Sequence, residues 1–110
     1  MDDLIEVVIT CPDMASAEAV ARACIEPGLA ACANIAPGLV SIYRWRGAVE
    51  RESEVAVTLK TRAGRFAELA AAVAAVHPYE VPAIVALPIL RTSPAYGDWI
   101  RAETDPGPAG

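Results

Sequence analysis

Aromatic residues are scarce in this chain: two tryptophans, three tyrosines and one phenylalanine among 110 residues, although 55% of the sequence is hydrophobic. The core must therefore be mostly Ala, Val, Ile and Leu. No apolar run approaches the roughly 18 residues that cross a bilayer, so no membrane partner is expected. The start, MDDLI, lacks the basic segment and small-residue cleavage site of a signal peptide, and the chain reads as cytosolic. A basic excess is missing too. The net charge is −5, which argues against nucleic acid, because phosphate binding needs a positive surface; it is compatible with cations. Cys11, Cys24 and Cys32 are an odd set without a C-x-x-C pair, which excludes a disulfide framework and a structural zinc knuckle. Enzyme signatures are absent as well: no G-x-S-x-G, Walker loop, H-E-x-x-H or Gly-rich dinucleotide turn. The chain reads as a non-enzyme.

What is present is an ordered set of elements. At this length one domain, residues 1–104, can bury a core without disulfide or metal, so no cofactor is expected for folding. Leu4 to Thr10 is β-branched and apolar, a central strand. Cys11-Pro12-Asp13 ends it, and Asp13 can cap the next helix, whose stripe is Ala17, Val20, Ala21 and Cys24. Pro27-Gly28 stops that helix. A long hairpin follows, from Ala30 to Arg46 and back from Val49 to Thr61, punctuated by Pro37-Gly38. After that bend Leu39, Ser41, Tyr43 and Trp45 alternate with Val40, Ile42, Arg44 and Arg46. A second helix spans Arg65 to His77, with Phe66, Leu69, Ala70, Val73 and Val76 inward and Pro78 as its terminator. Ala83 to Leu90 is a last strand, which Pro88 confines to an edge or bulge. Ser93-Pro94 then starts a short helix carrying Tyr96, Trp99 and Ile100. Residues 105–110 have nothing to bury and are expected to be a disordered tail.

The order predicts an α+β, ferredoxin-like βαββαβ fold with a C-terminal helix: one antiparallel sheet with helices on one face. The hairpin poses a problem of scale. About 16 extended residues reach roughly 50 Å, whereas a compact chain of this length has a radius of gyration near ~13 Å. It must bend or overhang, and an overhanging strand pair asks for a partner.

Five segments then carry a family resemblance: Leu29–Gly38 (LAACANIAPG), Ser41–Gly47 (SIYRWRG), Glu54 through Leu59–Thr61 (LKT), His77–Pro82 (HPYEVP) and Tyr96–Ile100 (YGDWI). In this order and spacing they resemble the divalent-cation tolerance protein CutA family, across nearly the whole chain. The resemblance implies a homotrimer built by long strands pairing between subunits. It further implies tolerance of copper and other divalent metals, with copper bound by some bacterial members. A likeness of such trimers to PII signalling proteins offers an alternative, a module binding a small molecule or protein partner at intersubunit clefts.

Candidate site residues each admit two readings. Cys11, at a strand end, is a thiolate ligand suited to Cu(I) or Zn(II), or a small apolar residue. The resemblance pairs a cysteine in this region with the histidine of the HPY segment. His77, the chain's single histidine, is that ligand, or a cap on the last helix carbonyls. Cys32 is a further metal candidate, or a buried structural thiol. Lys60, Tyr79, Glu80, Tyr43, Trp45 and Trp99 could line a cleft for a small anion or metabolite, while Tyr43 and Trp45 equally suit an interface. Glu50, Glu52 and Glu54 alternate along one strand side and could attract cations, or are ordinary solvated carboxylates.

Overall fold

Alternation along the first strand decides where the core lies. In the structure, a computed structural model describing residues 4–107, β1 (Leu4–Cys11) points Val7, Ile9 and Cys11 to one side and buries them completely. The helix α1 (Met14–Ile25) follows, with Asp13 Oδ1 accepting the Ser16 backbone N–H at 2.7 Å. That bond satisfies one of the free donors of the first turn and holds the Asp13 carboxyl below its ordinary range. Ala17, Val20, Ala21 and Cys24 are its buried stripe, as the spacing predicts.

Two long strands come next, β2 (Cys32–Trp45) and β3 (Ala48–Arg62), then a 3-10 turn at Ala63–Arg65 and α2 (Phe66–Val76). The helix is shorter than expected. His77 leaves it with φ −74° and ψ 136°, because the residue before a proline is pushed out of the helical region. Only Leu69 and Val73 of its predicted face are fully buried; Val76 points outward at 45% exposure. The strand β4 (Ile84–Pro88) and α3 (Pro94–Glu103) complete the order. Ser93 occupies the cap position of α3 but its side chain makes no cap bond.

The sheet runs β2-β3-β1-β4, and the pairings along it are antiparallel. This leaves β4 on an edge, where Pro88 costs no inner ladder bond. Val55, Val57 and Leu59 of β3 join the β1 side chains against α1 and α2, so both helices cover one face. Residues 105–107 are exposed, with the Gly107 N–H donating to Asp105 Oδ1 at 2.9 Å; the rest of the expected tail, 108–110, lies outside the described residues.

The hairpin resolves its length by overhanging. Pairing of β1 with β3 ends at Cys11 opposite Val55, while β2 and β3 stay paired from Leu39–Glu54 out to Trp45–Ala48. The last pair before this ribbon is Ala36–Ala56, so β2 holds one extra residue there, a bulge over Pro37-Gly38 with Gly38 at φ 88°. At the tip, Arg46 (φ 49°) and Gly47 (φ 82°) form the two-residue turn that matches strand twist. The molecule measures 46 Å along its longest axis, with a radius of gyration of 14.7 Å. Gly38 has open space where a Cβ would lie, so a side chain there meets backbone strain alone. Gly38→Ala is expected to lower unfolding free energy by about 1–2 kcal/mol, measured by urea denaturation.

Candidate functional site

Proline at position 78 turns the chain out of α2, and this turn swings the His77 ring inward to 8% exposure. The Tyr79 backbone N–H donates to His77 Nδ1 at 3.1 Å. A backbone N–H can only donate, so Nδ1 is the bare nitrogen and the proton sits on Nε2. Nε2 then donates to the Thr10 carbonyl at 2.8 Å. Both ring nitrogens are engaged, and neither caps the carbonyls of α2 as expected. The ring instead fastens the 77–82 loop to the end of β1.

Cys11 Sγ stands 3.7 Å from the same Nε2. The structure thus brings together Cys11 and His77, which lie 66 residues apart in sequence. Burial pushes the Cys11 thiol up to about 11, with the negative charges of Glu54 and Asp13 adding to it. Cys24 is pushed up to about 11 by burial.

Tyr79 extends the network outward. Its ring lies 4.8 Å from that of His77, and its hydroxyl donates to Glu54 Oε2 at 2.8 Å. Glu54 is therefore not a solvated carboxylate: it is 7% exposed where β3 leaves the three-stranded region. Burial, the bond to Glu54 and its charge together raise the Tyr79 phenol well above the ordinary range. Tyr43 is raised in the same direction by desolvation and by Glu52, Glu50 and Glu54.

Around this network lies a groove of about 700 Å³ between the ribbon and the 77–83 segment. Tyr43, Trp45, Tyr79 and Glu80 line it, as the sequence suggested, together with Glu54. Thr10, Ser41, Ile42, Pro78, Val81 and Ala83 also line it and were not anticipated. At the rim, Arg46 Nη2 reaches Glu80 Oε2 at 3.0 Å while its guanidinium lies 5.3 Å from the Trp45 ring centre. This contact links the hairpin tip to the 77–83 segment at the groove's rim.

Lys60, Trp99 and Cys32 are elsewhere. Cys32 pairs with Lys60, which pairs with Glu6, at the opposite end of the sheet from the Cys11–Val55 pair. There Cys32 Sγ meets Tyr96 Oη at 3.2 Å, Tyr96 stacks on Trp99 at 5.6 Å, and Lys60 Nζ donates to Asn34 Oδ1 at 3.4 Å. The Tyr96 hydroxyl is pushed up to about 12 by its hydrogen bond with Cys32, then by burial and the charge of Cys32. Within the chain, Cys32 does not join Cys11 and His77. Among the described residues no group of three or more His, Cys, Asp or Glu side chains is placed to hold a metal ion.

Thiol chemistry checks this burial. At pH 8 a thiol with pKa about 11 is thiolate in roughly one molecule per thousand. Cys11 and Cys24 are expected to alkylate at least ~100-fold more slowly in the native protein than in denaturant, read by iodoacetamide labelling and peptide mass spectrometry.

Known proteins share this fold. Residues 5–103 match the family described as CutA1 divalent ion tolerance protein. The divalent-cation tolerance protein CutA of Thermus thermophilus is 48% identical over 98 residues, 89% of this chain and 95% of that one. Protein CutA of Mus musculus is 41% identical over 97 residues, and the match spans 88% of this chain but only 55% of the mouse protein. Among solved structures, the periplasmic divalent cation tolerance protein CutA from Archaeoglobus fulgidus superposes with a TM-score of 0.89 at 38% identity, covering 93% of this chain and 99% of that one. With a match over almost its whole length and this level of identity, the chain belongs to the CutA1 divalent ion tolerance family.

Proposed function

We propose that this chain is a homotrimeric, cytosolic protein of divalent metal tolerance, with a ferredoxin-like subunit, that binds copper or another divalent cation through Cys11 and His77. The approach of Cys11 Sγ to His77 Nε2, 3.7 Å across the end of β1, carries the reading. A thiolate and an imidazole are a donor set that suits Cu(I), for which two ligands suffice. Binding there costs two existing features: the Cys11 proton, and the Nε2 hydrogen bond to Thr10. The role is binding rather than catalysis. Three free thiols support a reducing compartment, and no helix among the described residues is long and apolar enough to cross a membrane. The trimer is supported by the ribbon, where Val40, Ile42 and Val49 are 49%, 70% and 68% exposed; neighbouring copies would cover them.

A second reading is favoured by the groove itself. Its volume of about 700 Å³ is of metabolite size and far larger than an ion, so it fits a PII-like module that binds a small molecule where subunits meet.

Copper competition with a chromophoric chelator tests the first reading. Cys11→Ser and His77→Gln are each expected to weaken Cu(I) binding at least ~10-fold, about 1.4 kcal/mol. Unchanged affinity in both variants removes these two residues from the metal site.

A further inference from the structure

We propose that the groove beside the hairpin takes a small organic cation, a protonated amine or guanidinium of metabolite size, held by the Glu54 carboxylate and the rings of Tyr43 and Tyr79, with Trp45, which the Arg46 guanidinium already faces, at the rim. This rests on the reading of the groove as a ligand site and adds the chemical class of the ligand.

At the rim of the groove the Arg46 guanidinium lies 5.3 Å from the Trp45 ring centre, while the charged side chains that line the groove are acidic. Its two ionisable acids are Glu54 and Glu80, and no Lys, Arg or His side chain lines it. Glu80 is answered at the rim by Arg46, in a pair whose two side chains are each 72% exposed. Glu54 is different. It is 7% exposed, accepts a neutral phenol hydroxyl from Tyr79, and enters no ion pair among the described residues. Its side chain is withdrawn from water with one hydrogen-bond donor, and a bound cation would supply the further partners that buried polar oxygens take.

The rings decide between kinds of cation. A divalent metal needs several oxygen ligands at about 2.0–2.6 Å, whereas here a single buried carboxylate faces three aromatic side chains across about 700 Å³. Aromatic faces attract bulky, weakly hydrated cations through their quadrupole. Tyr43 and Trp45 stand on the same ribbon face as Glu54, because Leu39 pairs with Glu54 and alternate residues follow to Trp45. Tyr79 comes from the loop that His77 fastens, opposite them. The device is therefore a carboxylate at the inner end and rings along both walls.

A matched series of four-carbon probes tests this by isothermal titration calorimetry on the intact assembly: 1,4-diaminobutane, 1,4-butanediol and succinate, with magnesium chloride alone as a fourth arm. The diamine is expected to bind, and the other three are not. Glu54→Gln keeps an acceptor for the Tyr79 hydroxyl and removes the charge; it should weaken the diamine at least ~10-fold. Tyr79→Phe keeps the charge and should retain binding, which separates charge from a loss of fold. Absence of diamine binding, equal binding of succinate, stronger binding of magnesium, or indifference to Glu54→Gln each overturns the proposal. Binding of butanediol or succinate in the groove, mapped by quenching of Trp45 against a Trp99→Phe background, would leave the small-molecule reading standing while refuting the cation.

Discussion

A two-stranded ribbon has no third element against which to bury its faces, and strands this thin are marginal in water unless something packs on them. Here β1 stops at Cys11 and the sheet loses its middle strand, while β2 and β3 run on to a tight turn at Arg46-Gly47. Most other features of the molecule follow from that truncation. The bulge over Pro37-Gly38 sits just before the ribbon begins, and bulges bend and twist the strand that carries them. The scarce aromatics Tyr43 and Trp45 lie on the ribbon, and its apolar side chains Val40, Ile42 and Val49 are exposed. The groove lies between the ribbon and the 77–83 segment, which meet at its rim in the exposed Arg46–Glu80 contact.

The opposite wall depends on a single ring. His77 holds the 77–82 loop to β1 by accepting from Tyr79 and donating to Thr10, and Tyr79 carries the tie on to Glu54. The two functional readings make opposite demands on this ring. Copper at Cys11 and His77 requires Nε2 to let go of Thr10, while a ligand in the groove leaves every bond of the network in place.

Much of this architecture was legible in the chain, since it follows from local periodicity. The alternation of Val7, Ile9 and Cys11, the stripe from Ala17 to Cys24, and the stops at Pro27-Gly28 and Pro78 each express short-range sterics and burial. The overhang was legible from length alone, as was the edge position of β4 from Pro88. Side-chain pairings across long separations were not. Nothing near Glu54 announces that Tyr79 will close over it, and the role of His77 depends on a carbonyl 67 residues away. Lys60 shares a strand face with Glu54, but six residues of strand separate the two by about 20 Å within the chain. Within the chain Trp99 stacks on Tyr96 at the other end of the sheet, a placement that sequence spacing alone does not supply. The bulge adds a further step that alternation cannot supply. It switches the face occupied by even positions in β2 before it to odd positions after it, which is what places Tyr43 and Trp45 with the glutamates.

The central claim is that the ribbon is a device for assembly, covered by copies of the same chain. Sedimentation equilibrium at micromolar concentration in neutral buffer tests this most directly. The account predicts one species at three times the 11.5 kDa chain mass, unchanged by added copper or chelator. A single species near 11.5 kDa would contradict it.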